Sequence, residues 1–174
     1  MIYHLTEVLH ENLNFSDELI PLKKELATIG HYLKVQEIRY GHMFDYQEKV
    51  NPACLDYLIP RLSLQPLFEN IFFHAFEDGR GKIELIIEDY SDFLELFLSD
   101  NGKGMSEQTA QNLLKEHLPN DKARGIGVFN VDQRLKLHFG NEFGLIVEST
   151  PGNGTTIKIR WPKRRMTNDQ SHSG

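Results

Sequence analysis

Three short groups of residues have the types and spacing to handle a nucleotide. Asp100-Asn101-Gly102-Lys103-Gly104-Met105 ends an alternating apolar stretch, and a carboxylate emerging from an apolar face is costly unless something pairs with it. An adenine amino group is a suitable donor, and a carboxylate acceptor discriminates adenine from guanine. Gly102 and Gly104 let the backbone turn tightly and approach a ligand with no side chain in the way. Gly125-Ile126-Gly127 opens a helix, where free N–H groups and the positive end of the helix dipole form an anion site. Lys122 and Arg124 add charge from the preceding loop. Glu69-Asn70 lies on an earlier helix. The Asn70 amide oxygen is a hard ligand suited to Mg²⁺, which takes a few protein ligands plus water and phosphate oxygens. The Glu69 carboxylate could accept a proton or orient a nucleophile, and His74 shares the Asn70 face one turn on.

Each group has a plainer use. Asp-Asn-Gly turns serve surface hairpins constantly, Gly-x-Gly is a common helix entrance, and Asn70, Glu69 and His74 could simply edge a helix. In this order, however, they describe a pocket: an acid for a base edge, glycines for phosphates and an amide for a metal.

The elements that must position these groups follow from periodicity. Residues 2–13 read as a short helix striped by Ile2, Leu5, Leu9 and Leu13. A stronger helix runs from about Pro21 to about Tyr40 on the stripe Leu22, Leu26, Ile29 and Leu33, closed by Gly41. Residues 43–50 alternate like an exposed strand, and a helix over 61–76 turns Leu64, Leu67, Phe68, Ile71 and Phe72 to a core. Residues 82–89 and 93–100 form an antiparallel hairpin around Tyr90-Ser91-Asp92. A polar helix over 106–116, a loop over 117–124, a helix from Ile126 to Phe139, and strands at 144–149 and 155–161 complete the order. Helices do not alternate one-for-one with strands, which points to an α+β arrangement: a mostly antiparallel sheet with helices on one face.

Composition sets the class. The chain has 174 residues, 40% hydrophobic and 25% charged, as in a soluble globular domain. Its net charge of -6 argues against nucleic acid as a partner, because phosphate backbones need a basic field. The lone Cys54 excludes an internal disulfide and suits a reducing, cytoplasmic setting. No apolar run is long enough to cross a bilayer.

The motifs together resemble a known superfamily. Glu69-Asn70, then Asp100-Asn101-Gly102-Lys103-Gly104, then Gly125-Ile126-Gly127, then Gly154-Thr155-Thr156 look like the N box, G1 box, G2 box and closing threonine of the GHKL ATPase/kinase superfamily. The finer resemblance is to LytS-type sensor histidine kinases. It rests on Tyr32-Leu33-Lys34-Val35-Gln36-Glu37-Ile38-Arg39-Tyr40, on Ile59-Pro60-Arg61-Leu62-Ser63-Leu64-Gln65-Pro66-Leu67, on Gly125 through Leu135 and on Phe139-Gly140. The resemblance implies a Bergerat fold, a two-layer α/β sandwich binding Mg-ATP. By position, Asn70 would hold Mg²⁺ and Glu69 would be the catalytic acid that assists the acceptor histidine. Asp100 would read adenine, and Thr155 or Thr156 would support it through water. Gly102, Gly104 and Met105, with Arg124, Gly125, Ile126 and Gly127, would shape the phosphate and lid region beside His74.

Two departures stand out. Relatives carry a lysine that could meet phosphate where this chain has Phe73. None of the eight histidines has the Pro-His-Phe context of the family's acceptor. The resemblance therefore implies the catalytic part of a longer, membrane-anchored homodimeric receptor that serves a response regulator. On this reading residues 1–41 are a helical extension, 42–162 the ATP-binding domain and 163–174 a disordered tail. Anti-sigma-type serine kinases and degenerate nucleotide-binding modules share the fold and are the alternatives.

Overall fold

The computed structural model describes residues 18–41, 43–74 (the side chain of His74 excepted), 81–115 and 126–166. The expected helix over 2–13 and the loop over 117–124 lie outside these residues.

The chain enters on a three-residue strand, β1 (Leu19–Pro21), and passes directly into α1 (Leu22–Tyr40). Pro21 is the residue before the helix, where its missing N–H leaves no intrahelical bond unmade. Leu22, Ile29 and Leu33 recur on one face and are buried, with Glu25 and Gln36 buried among them. The helix stops at Gly41, whose φ of 62° is the left-handed conformation glycine adopts without strain. Strand β2 (Phe44–Val50) and a short 3₁₀ turn at Pro52–Cys54 lead to β3 (Leu58–Pro60). β1 and β3 are the same tripeptide, Leu-Ile-Pro, and pair antiparallel with Ile20 opposite Ile59.

The central sheet contains β2, β4 (Gly81–Asp89), β5 (Phe93–Asp100), β6 (Gly144–Ser149) and β7 (Thr155–Pro162), in the order β2-β4-β5-β7-β6. β2 joins β4 in parallel at one edge, and every other pairing is antiparallel. Helices α2 (Gln65–His74), α3 (Glu107–Asn112) and α4 (Ile126–Phe139) complete the described elements. α2 begins at Gln65 rather than 61, because residues 61–64 form a turn in which Leu62 takes a φ of 59°.

Strand alternation divides the sheet into two faces. Ile83, Leu85 and Ile87, Leu94, Leu96 and Leu98, and Ile157, Ile159 and Trp161 form the covered face. They share one core with Phe68 and Ile71 of α2, Val131 and Leu135 of α4, and Leu22 and Ile29 of α1. Phe72 lies in this core among Tyr32, Tyr40 and Phe44, with ring centroids 5.8, 5.9 and 4.9 Å away. The other face is open and carries ion pairs: Lys49 with Glu84, Lys158 with Glu148 and Arg160 with Glu95. This is the two-layer sandwich with a mostly antiparallel sheet that the sequence implied.

After Pro162 the chain stays on the body. The Arg164 carbonyl accepts from Leu58 N–H at 2.8 Å, Lys163 pairs with Asp89, and the Arg165 guanidinium lies 4.5 Å from the Tyr57 ring centre.

Candidate functional site

Asp100 ends β5 on the face of Leu96 and Leu98, and its direct partner across the ladder is Thr155 at the start of β7. Just beyond it, Asn101 exchanges bonds with Lys82: its Oδ1 accepts from Lys82 N–H at 2.6 Å and its own N–H donates to the Lys82 carbonyl at 3.2 Å. That closes the β4–β5 ladder and turns the chain out over the sheet end. The Gly102 N–H then donates to Asp100 Oδ1 at 2.8 Å. Gly102 thus contributes a donor, while Gly104 contributes conformation, with a φ of 61°.

The loop 101–105 is interlocked with the β6–β7 turn. A Cβ on Gly104 would sit 2.1 Å from the Thr150 carbonyl oxygen, and one on Gly154 would sit 1.9 Å from the Asp100 carbonyl oxygen. The Gly152 N–H donates to the Lys103 carbonyl at 2.6 Å. Ser149 ties the pieces together: its hydroxyl accepts from Met105 N–H at 2.9 Å, donates to the Gly154 carbonyl at 2.8 Å and lies 2.9 Å from Thr155 Oγ1. Sequence reasoning missed Ser149, whose only local signal is its place one turn before Gly154-Thr155. Ser149→Ala leaves the Met105 N–H without its acceptor, and is expected to lower stability by about 1–3 kcal/mol. Urea unfolding measures this, and an unchanged midpoint removes the tie.

Burial pushes the Asp100 carboxyl above the usual aspartate range, and the backbone N–H groups of Gly102 and Thr155 offset only part of that. A partly desolvated carboxylate gains from any further polar partner that reaches it.

Glu69 and Asn70 sit together on α2, both half-buried, and Glu69 Oε1 accepts from Gln65 Nε2 at 2.8 Å. Phe73, three residues beyond Asn70, is 45% exposed on the same side of the helix. Gly127 lies in the first turn of α4, where a Cβ would come 3.1 Å from the Pro66 Cβ. Gly127 therefore also lets α4 approach the start of α2, a packing role the spacing did not suggest. Ile126 is 36% exposed and Met105 half-buried against the core.

The structure brings Asp100, Gly102, Gly104, Met105 and Thr155 into one assembly at the sheet end. It separates Thr156 from them: one residue on, Thr156 points to the open face, its Oγ1 2.9 Å from Ser99 Oγ. Arg124, Gly125 and the side chain of His74 lie outside the described residues. Among the described residues no group of three or more His, Cys, Asp or Glu side chains could hold a metal ion.

Comparison with known proteins assigns this architecture. The sequence pattern described as histidine kinase-, DNA gyrase B- and HSP90-like ATPase matches residues 59–165, and one described as histidine kinase matches residues 1–44. The chain belongs to this ATPase family. Among its relatives, the sensor histidine kinase YpdA of Escherichia coli is 30% identical over 172 residues, covering 95% of this chain and 28% of that protein. The sensor protein LytS of Bacillus subtilis is 26% identical over 176 residues, covering 99% of this chain and 30% of that protein. The chain thus spans less than a third of these relatives' length. The fold is similar to that of a mycobacterial sensor histidine kinase, MprB, with a TM-score of 0.62 at 17% identity, over 86% of this chain and 99% of that one. As a member of the family, the chain is an ATP-binding domain.

Proposed function

We propose that this chain is the catalytic part of a two-component sensor histidine kinase, holding Mg-ATP and presenting its γ-phosphate to a histidine on a helix that this chain does not supply. The observation that carries the reading is the register of Asp100 with Thr155 inside the interlocked loop and turn, in a chain of this family. Asp100 accepts from the adenine amino group, and Thr155 supports the base from the neighbouring strand. The backbone of loop 101–105 and the first turn of α4 face the phosphates. Asn70 would hold Mg²⁺, which when bound neutralises charge on the phosphate oxygens. In transfer, the bond from the γ-phosphorus to the bridging oxygen breaks and one to an imidazole nitrogen forms. Glu69 would take the proton that the other ring nitrogen gives up. A response regulator then accepts the phosphoryl group.

The organisation of the whole protein belongs to the same proposal: residues 1–41 as the end of the acceptor and dimerisation region, 42–162 as the catalytic domain, and a cytoplasmic placement below an upstream membrane anchor. Among the described residues, no helix is long and apolar enough to cross a membrane.

Calorimetric titration with a non-hydrolysable ATP analogue, with and without Mg²⁺, tests the reading. Saturable, Mg-sensitive binding at one site is expected. In the same titration Asn70→Ala should lose the Mg-dependent part of the affinity, about tenfold, and keep the rest. Equal losses with and without Mg²⁺ would make Asn70 structural.

One observation favours a second reading. Phe73 sets an exposed ring beside Asn70 where a cation would serve a triphosphate, which suits a module that holds nucleotide without transferring phosphate. Incubation with labelled ATP and a separately supplied acceptor domain separates the two, since only the kinase labels the acceptor.

A further inference from the structure

Glu25 is a buried carboxylate with no part in the nucleotide site described above. It lies in the first turn of α1, only 2% exposed. Its two oxygens accept from backbone N–H groups 37 and 39 residues away: Leu62 at 2.7 Å on Oε1 and Leu64 at 3.1 Å on Oε2. Arg134, from the middle of α4, grips the same turn from the other side, its Nη2 donating to the Leu62 carbonyl at 2.6 Å. Between the two grips Leu62 holds a φ of 59°, a conformation that persists in a leucine only where the surroundings impose it. The Ser63 hydroxyl, fully buried, donates to the Pro60 carbonyl at 2.6 Å and completes the turn. α2 begins one residue after Leu64 and carries Glu69 and Asn70.

We infer that Glu25 and Arg134 are positioning residues: gripping residues 62–64 from α1 and α4, they set the start of α2 and with it the placement of Asn70 and Glu69. The consequence for binding rests on the proposed role of Asn70. Burial raises the Glu25 carboxyl above its usual range, and the turn's N–H groups and the Arg134 charge act against that. Three helices therefore meet at one strained turn, and a displacement of α1 reaches Asn70 through it. Asp100 and Thr155 lie on β5 and β7, outside this linkage. A positioning role and general loosening thus predict different outcomes.

The test uses the whole chain with Glu25→Gln, Leu62→Gly and the double variant, with Arg134→Lys as a second way to weaken the grip. The glutamine has one acceptor oxygen where the turn needs two, and glycine adopts a φ near +60° freely. Two readouts are compared: ATP-analogue affinity with and without Mg²⁺, and amide exchange over residues 65–70. Glu25→Gln and Arg134→Lys are expected to reduce the Mg-dependent gain in affinity by about tenfold, with Mg-free affinity within roughly twofold of the parent. They should also speed α2 exchange by about tenfold or more. Adding Leu62→Gly to Glu25→Gln should restore most of both, because the turn no longer needs to be forced. Equal affinity losses with and without Mg²⁺, unchanged α2 exchange, or no recovery in the double variant would each overturn the inference. If the parent chain shows no Mg-dependent gain at all, the proposed role of Asn70 fails, and the exchange arm still decides whether the grip exists.

Discussion

On its proposed adenine role, Asp100→Asn is expected to weaken ATP binding severely and to leave the fold intact. The parent carboxylate offers only acceptors, and Gly102 N–H occupies Oδ1. In the variant the amide oxygen can keep that bond, and on the proposed role of Asp100 the amide nitrogen would then meet the adenine amino group, donor against donor. Losing a charge-assisted hydrogen bond and leaving a buried donor unpaired weakens binding by roughly a hundredfold or more. The effect on stability runs in an unusual direction. The folded pKa of Asp100 is raised, so the ionised carboxylate lowers stability above that pKa, and the penalty fades as pH falls through it. Asparagine carries no such penalty. At pH 7 the variant should melt within a few degrees of the parent, and its standing relative to the parent should worsen as the pH is lowered through the acid range. Calorimetric titration and thermal scans across pH read both halves. An unchanged dissociation constant would remove the adenine assignment, and a collapsed fold would make Asp100 structural.

Gly154→Ala should be strongly destabilising. The new Cβ would meet the Asp100 carbonyl at 1.9 Å, and Gly154 has a φ of 80°. The carbonyl cannot yield cheaply, because it is backbone of the last residue in the ladder that pairs Asp100 with Thr155. Overpacking and left-handed strain together destabilise by about 2–5 kcal/mol, or roughly 10 °C in melting temperature for a domain of this size. Gly152→Ala is the control. Gly152 also has a positive φ, of 81°, but a Cβ there meets nothing within 4 Å. It should lose only the strain component, about 1–2 kcal/mol. Equal melting temperatures for the two variants would show that close approach at Gly154 carries no weight.

What the sequence revealed and what it hid divide along local and non-local causes. Helix α4 and strand β6 have the bounds expected from the sequence, because glycines punctuate them and their apolar spacing is regular. The hairpin β4–β5 and the placing of Asp100 on the apolar face followed from simple alternation. The late start of α2 was hidden, since the turn at 61–64 is imposed by Glu25 across 37 residues and not by its own composition. β1 and β3 were hidden for a similar reason: three-residue strands have no periodicity to reveal them. Parallel pairing of β2 with β4 is likewise a long-range choice. Within the site, the acid and the glycines were legible as types, whereas Ser149 and the separation of Thr155 from Thr156 needed the strand register.

The register also governs the order in which this protein becomes competent. β4–β5 and β6–β7 are local hairpins, but Asp100 belongs to one and Thr155 to the other. Neither hairpin alone sets Asp100 beside Thr155; that pair forms when β5 docks on β7, a pairing that joins residues such as Ser99 and Thr156, 57 positions apart. Closing so long a loop is the entropically expensive kind of contact that local elements precede. If Asp100 and Thr155 hold the base as proposed, nucleotide stabilises only chains in which this docking is complete. At a hundred times its dissociation constant it would add about 2.7 kcal/mol. Because the ligand has nothing to hold before the hairpins meet, that gain falls on slower unfolding, and the folding rate stays as it is.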